Sequence, residues 1–192
     1  AVVLNVNNGE VLSFVSSPGF DPEEFTHGVS HDYWHYLMHD HYKPLINKII
    51  ANQYPPGSTF KPIVALAGLK YGISPDERIY CPGYMQLGNR KFHCWKKQGH
   101  GNLNMKEALM HSCNTYFYHI AKTIGADNIY KMAVNFGLGK KTDIILNGEK
   151  KGLIPNPSWK IKKYDTTWQT GDSLNLGIGQ GYALTTPLQL AM

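Results

Sequence analysis

Long hydrophobic runs are missing from this 192-residue chain. No apolar stretch approaches the roughly 18–20 residues that a membrane-spanning helix needs. No cationic segment followed by an apolar one marks a cleavable leader at the start. Charge is thin as well: 17% of residues are Asp, Glu, Lys or Arg, for a formal net charge of +5. The cations sit in short runs, at Arg90-Lys91, Lys96-Lys97, Lys140-Lys141, Lys150-Lys151 and Lys160 to Lys163. None is interleaved with aromatics in the way that stacks single-stranded bases, so no nucleic-acid partner is expected. There are only three cysteines, and an odd number cannot all be paired within one chain.

Two signatures are also absent. His31, His35 and His39 fall on one helical face, but no H-E-x-x-H arrangement occurs among them. An amphipathic surface helix within residues 23–43, its other face carrying Tyr33, Trp34 and Leu37, is the simpler reading; metal binding there is the alternative. Gly177-Ile178-Gly179-Gln180-Gly181 lacks the Lys-Ser/Thr that completes a phosphate-binding loop.

What is present is globular: 42% hydrophobic residues, with 19 Gly and 11 Pro. The length fits one domain or a piece of a larger one. Asn7-Asn8-Gly9 between two runs of β-formers predicts a hairpin over residues 1–16. Tyr54-Pro55-Pro56-Gly57 leads into a buried helix from Ser58 to Lys70, with Ser58 as its N-cap and Pro62 tolerated in the first turn. Residues 73–102 are irregular and too long to be a bare loop without an organising constraint. Helices are expected from Asn104, from about Thr115 to Thr123, and from about Asp127 to Phe136; residues 138–176 are expected to be loop-rich, with short strands at most. Thr186 and Pro187 start a helix that stops six residues later. The chain opens at Ala1 without an initiator methionine, and these two ends suggest an excised piece.

The reactive chemistry lies in two short motifs. Ser58 and Lys61 form S-x-x-K, which places both side chains on one helical face. A serine hydroxyl is a weak nucleophile until a base removes its proton. A lysine becomes that base when burial and a helix N-terminus lower its pKa. The same N-terminus offers a backbone N–H to a developing oxyanion. Ser112-Cys113-Asn114 adds a hydroxyl for proton transfer and an amide for a substrate carbonyl. A capping Ser58 with a snorkelling Lys61, and an N-cap pair at Ser112 and Asn114, are the structural alternatives.

Tyr54-Pro55-Pro56-Gly57-Ser58-Thr59-Phe60-Lys61-Pro62 resembles the acylation segment of class B penicillin-binding proteins. Trp95-Lys96-Lys97-Gln98-Gly99-His100-Gly101, Ser112-Cys113-Asn114-Thr115-Tyr116-Phe117-Tyr118 and Gly177-Ile178-Gly179-Gln180-Gly181-Tyr182 resemble their elongation-specific branch, penicillin-binding protein 2. The resemblance covers essentially the whole chain. It implies an α/β (α+β) fold of the penicillin-binding protein and serine β-lactamase type, an antiparallel sheet with a helical subdomain. It also implies a D,D-transpeptidase that cross-links peptidoglycan stem peptides and is acylated by β-lactams. Ser58 would be the nucleophile, Lys61 the base, Ser112 the proton relay and Asn114 the substrate-holding amide. The partners implied are membrane proteins of the elongation complex, including a glycosyltransferase. The place implied is the periplasmic face of the inner membrane. The family's Lys-Thr-Gly motif does not occur in these 192 residues, so the expectation is an incomplete sheet and a piece inactive by itself. A serine β-lactamase or β-lactam sensor, and a non-catalytic metal-organised module, are the rival readings.

Cys81, Cys94, His100 and Cys113 are spaced C-x12-C-x5-H-x12-C. Three thiolates and an imidazole match a tetrahedral structural zinc site. The surrounding stretch has little apolar content to organise it otherwise, and members of the resembling branch carry zinc near this place. A Cys81–Cys94 disulfide with Cys113 free is the competing reading, in keeping with an oxidising compartment.

Overall fold

The computed structural model describes residues 1–192. In chain order its elements are β1 (Val2–Leu4), β2 (Val11–Phe14), α1 (His31–His39), α2 (Lys48–Ala51), α3 (Lys61–Lys70), β3 (Ile79–Cys81), β4 (Tyr84–Leu87), β5 (Arg90–His93), β6 (Gly101–Leu103), α4 (Met105–Met110), α5 (Asn114–Ile124), α6 (Ala126–Asn135), α7 (Pro157–Tyr164), α8 (Thr170–Gly177) and α9 (Pro187–Ala191). All strand pairing is antiparallel. The chain divides into two compact units, one of residues 1–54, 141–151 and 186–192, the other of residues 55–140 and 152–185.

The first unit is built on the expected hairpin. β1 pairs with β2 from Val2 opposite Phe14, and Gly9, at φ +76°, closes the turn where its N–H donates to the Asn5 carbonyl at 2.8 Å. Val2, Leu4 and Phe14 cover Ile49, Ile50 and Leu188, which come from α2 and α9. Thr186 caps α9 through a reciprocal pair with Gln189, ahead of Pro187 in the first turn, as the sequence predicts. The helix expected within 23–43 is shorter: Ser30 caps α1 by accepting from the Tyr33 N–H, and only Leu37 is buried.

The second unit holds the larger core. α5 runs through it and packs on α3, α6 and α8, with Phe117, Ile120 and Ala121 fully enclosed. Burying side chains of that size contributes about 1.5–3 kcal/mol each for the larger two. Two glycines set how closely the helices approach. A Cβ on Gly68 would stand 3.1 Å from Ile120 Cγ2, and one on Gly177 would stand 2.6 Å from Ala121 Cβ.

Residues 138–176 differ from the loop-rich expectation, because α7 and α8 lie within them. The signals are local caps. Asn156 accepts from the Trp159 N–H ahead of Pro157, and Gln169 and Asp172 form a reciprocal capping pair. Between them, Lys160 Nζ donates to Asp172 at 2.6 Å with both side chains largely buried. The irregular stretch 73–102 is organised into two two-stranded ribbons, β3 with β6 and β4 with β5. Phe92 is buried on the inner face of the second ribbon, edge-on to Tyr118.

Candidate active site and thiol cluster

Ser58 does not cap a helix. Pro56 is right-handed and Gly57 stands at φ +59°, and Gly57–Phe60 form a tight 3-10 turn that runs directly into α3. The residue that would cap α3 is Phe60, which has no capping side chain. The Ser58 hydroxyl is therefore exposed and unused locally, and it lies 2.9 Å from Ser112 Oγ. The capping reading of Ser58 fails because Ser58 lies inside the 3-10 turn, where no side-chain cap bond forms.

Lys61 is 1% exposed, at the start of α3. Its ammonium donates to Ser112 Oγ at 3.0 Å, to the Ser112 carbonyl at 2.8 Å and to Asn114 Oδ1 at 2.7 Å. It reaches Ser58 through Ser112. Burial pulls the Lys61 pKa down to about 8, against the smaller opposing pull of nearby Cys94 and Cys113. Ser112 is held at φ +50°, a left-handed conformation that costs energy for a residue with a Cβ. Such strain persists where the surroundings over-determine it. Here the Trp95 indole N–H donates to the carbonyls of both His111 and Ser112 at 3.1 Å, and the Ser112 carbonyl also accepts from the Lys61 ammonium.

The alternative role of Ser112 and Asn114 as an N-cap pair is also not what the fold uses. Cys113 occupies the cap position of α5 and no side chain caps it. Asn114 instead accepts from Lys61 and donates from Nδ2 to the His93 carbonyl at 3.4 Å. That long bond leaves the amide able to turn toward a substrate carbonyl.

The glycine-rich run 177–181 supports the nucleophile turn. The Gly57 N–H donates to the Gly179 carbonyl at 2.8 Å. A Cβ on Gly179, at φ +68°, would stand 2.2 Å from the Gly57 carbonyl oxygen and 2.7 Å from Phe60 Cβ. Only glycine allows the two backbones to touch there. Sequence reasoning left this run without a role, and it also missed Trp95 as an anchor of Ser112.

Cys81, Cys94, His100 and Cys113 converge. One ligand atom from each lies within 4.8 Å of all the others. The three cysteines are free thiols, 2%, 3% and 0% exposed. His100 Nδ1 stands 3.6 Å from Cys81 Sγ and 3.5 Å from Cys94 Sγ. A tetrahedral zinc ion with Zn–S near 2.3 Å and Zn–N near 2.0–2.1 Å requires sulfur-to-nitrogen edges of roughly 3.6 Å. The donor set and the spacing fit that ion. The cluster is also poised to carry negative charge. The Cys113 thiol donates to Cys94, and the backbone N–H groups of Lys96, Thr115 and Asn114 add to it, holding the Cys94 thiol down at about 4. Cys113, keeping the shared proton, is pushed well above the usual thiol range. Buried His100 Nε2 has no hydrogen-bond partner. The helical histidines behave differently. His35 and His39 stack at 4.0 Å on the exposed face of α1, with no third ligand beside them.

A buried lysine joins an exposed serine hydroxyl to S-x-N within a mixed helical and antiparallel fold, an arrangement that brings together the groups serine acyl transfer requires. The chain belongs to the penicillin binding protein transpeptidase domain family, which matches it over residues 1–192. It is 43% identical to the peptidoglycan D,D-transpeptidase MrdA of Acinetobacter baumannii, over all of this chain and 29% of that protein. The structure of Pseudomonas aeruginosa PBP2 in complex with WCK 5153 superposes with a TM-score of 0.94 at 41% identity, covering 98% of this chain and 42% of the other. The Helicobacter pylori PBP2 structure in complex with MreC gives 0.95 at 38% identity, covering 98% and 36%. The chain spans about 30% of the length of the curated relatives it matches.

Proposed function

We propose that this chain carries the nucleophile half of a peptidoglycan D,D-transpeptidase of the elongation-specific type. The continuous polar path Ser58 Oγ, Ser112 Oγ, Lys61 Nζ, with steps of 2.9 and 3.0 Å, is the observation that carries the reading. Neutral Lys61 takes a proton through Ser112 as Ser58 Oγ attacks the carbonyl of the penultimate D-Ala of a stem peptide. The C–N bond breaks, the proton returns to the departing amine, and D-Ala leaves. An amino group of a second stem peptide then attacks the Ser58 ester. It forms the cross-link and returns Ser58 to its hydroxyl, its proton taken along the same path. Asn114 Nδ2 holds the acyl-donor backbone. A β-lactam presents the same carbonyl in a ring and acylates Ser58.

Hydrolysis of the acyl-enzyme needs a base that activates water. No carboxylate is hydrogen-bonded or ion-paired to Ser58, Lys61, Ser112 or Asn114. That favours transpeptidase over β-lactamase. Cys81, Cys94, His100 and Cys113 would hold a zinc ion, and four protein ligands would leave it no open position, so what it would supply is rigidity at Ser112 and Asn114. The site of action would be the periplasmic face of the inner membrane; no helix of this chain is long and apolar enough to cross a membrane. A partner of the MreC kind, as in the Helicobacter pylori complex, and a glycosyltransferase of the elongation complex complete the reading.

The test is labelling of the full-length protein with fluorescent penicillin, followed by intact mass and peptide mapping. A stable adduct on Ser58, absent from Ser58→Ala, is the expected result. Rapid turnover of the adduct, or an adduct elsewhere, overturns it. Elemental analysis of the same sample should give about one zinc per chain; a Cys81–Cys94 bridge without zinc overturns the metal assignment.

A further inference from the structure

The segment between β2 and α2 carries His27, His31, His35, His39 and His41, five of the nine histidines of the chain. Neither the acyl-transfer site nor the thiol cluster uses any of them. His31, His35 and His39 recur every fourth residue of α1, a spacing that sets the Cβ atoms of successive members about 5–6 Å apart on one face. The helix that keeps this spacing is tied at both ends. Ser30 Oγ accepts from the Tyr33 N–H at 3.2 Å, and the Asp40 N–H donates to the Tyr36 carbonyl at 2.9 Å.

One pair of these rings is already together. His35 and His39 stack with centroids 4.0 Å apart and planes 20° from parallel, both exposed. His31 turns to Asp32 instead, its Nδ1 4.0 Å from the carboxylate. The second feature of the pair is a fixed tautomer. His39 Nδ1 lies 2.8 Å from the His35 carbonyl oxygen. A carbonyl only accepts, so Nδ1 carries the proton and the neutral ring keeps its lone pair on Nε2. Metal-ligating histidines commonly make this same bond, which orients the ring and leaves the other nitrogen to the ion. The His35 ring makes no hydrogen bond, and the torsion that turns an imidazole is soft. It is able to swing until its nitrogen stands roughly 2.9 Å from His39 Nε2, the separation of two neighbouring ligands that are each about 2.0–2.1 Å from one ion.

We propose that His35 and His39 form a second metal site, an open bis-imidazole chelate on α1 for a late divalent transition ion, Cu²⁺ ahead of Ni²⁺ and Zn²⁺. Imidazole suits all three ions, and the general order of divalent affinities puts Cu²⁺ highest. The site differs in kind from the thiol cluster. Two protein ligands leave the remaining coordination positions to water, so the ion exchanges with solvent and dialysis removes it, whereas four protein ligands would retain theirs. The zinc content of the dialysed protein is therefore independent of α1. The inference does not rest on the transpeptidase reading.

The test is calorimetric titration of the untagged, dialysed full-length protein with NiCl₂, since Ni²⁺ does not oxidise thiols. The readout is the Ni²⁺ equivalent that depends on α1, so any ion taken up by the thiol cluster is common to every variant and cancels. His35→Ala and His39→Ala should each weaken that equivalent by at least about 10–100-fold, the range seen when even an outer partner of a metal ligand is disturbed. His31→Ala and His41→Ala should keep it. Cu²⁺ added at equal concentration should displace the bound Ni²⁺. Tm should be the same in all four variants, which separates loss of a ligand from loss of the fold. Identical isotherms for the unmodified protein, His35→Ala and His39→Ala overturn the inference. Loss of the equivalent in His31→Ala also overturns it, because the ion would then belong to a different set of histidines. Ni²⁺ that resists displacement by Cu²⁺ overturns the assignment of the ion.

Discussion

Two polar clusters meet at the start of α5, and they are satisfied in opposite ways. Around Ser58, every polar atom that matters has a protein partner: Lys61 alone makes three short hydrogen bonds, to Ser112 Oγ, the Ser112 carbonyl and Asn114. Around Cys113, three buried thiols and an imidazole face one another at 3.5 Å and beyond, and His100 Nε2 has no partner. Buried polar groups are expensive unless paired. The first cluster meets that cost with its own hydrogen bonds. The second has weaker sulfur hydrogen bonds, among them Cys81 with Thr115 at 3.3 Å, and a geometry that would fit a cation. Because Cys113 lies between Ser112 and Asn114, whatever holds the second cluster also fixes the first.

The sharpest break is Ser58→Ala, which should abolish covalent penicillin labelling while leaving metal content and Tm unchanged. Next, if the thiol cluster holds zinc as proposed, Cys113→Ser should lower the zinc content and reduce the labelling rate by about 10–100-fold, the usual cost of disturbing a metal site and its surroundings. Metal analysis and labelling kinetics on one sample check whether the two losses travel together. A normal labelling rate without metal would uncouple the clusters.

The pH profile probes the first cluster directly. A lysine can act as a base only when uncharged, and burial lowers the Lys61 pKa to about 8. The neutral fraction grows as pH rises through that value, so the acylation rate should fall about tenfold per pH unit below it. Gly179→Ala should cost roughly 1–3 kcal/mol in thermal or denaturant unfolding, because a Cβ there meets the Gly57 carbonyl and the φ is left-handed. It should also slow labelling, since that contact backs the Ser58 turn. The smallest effect belongs to His39→Ala on exposed α1, within about 0.5 kcal/mol, with zinc content unchanged. A drop in bound zinc there would move the metal from the thiol cluster to the helical histidines.

Much of the site is readable along the chain because its pieces are short and local. S-x-x-K, S-x-N and the hairpin at Asn7-Asn8-Gly9 each depend on neighbours within a few residues. The roles of Ser58, Ser112 and Asn114 as caps were equally readable and are not what the fold uses; α3 starts from backbone already in the helical region at Phe60, and α5 starts after an extended Cys113 with no side-chain cap. α7 and α8 escape a reading based on hydrophobic periodicity because their signals are caps, Asn156 and the pair Gln169 with Asp172. Trp95 escapes it because an indole's hydrogen-bond partner has no sequence signature.

The sequence by itself determined the residue types that can do the chemistry: a serine, a lysine three residues on, an S-x-N motif, and three cysteines with a histidine. Those are matters of composition and spacing, and spacing on a helix or turn is fixed by backbone geometry. Tertiary structure alone decided that Lys61 reaches Ser58 by way of Ser112, that Gly179 braces Gly57, and that Cys81, Cys94, His100 and Cys113 share one small volume. Each of those contacts joins residues more than ten positions apart, apart from the six between Cys94 and His100. They exist only because burying α5 among α3, α6 and α8 outweighs the entropy lost in bringing distant segments together.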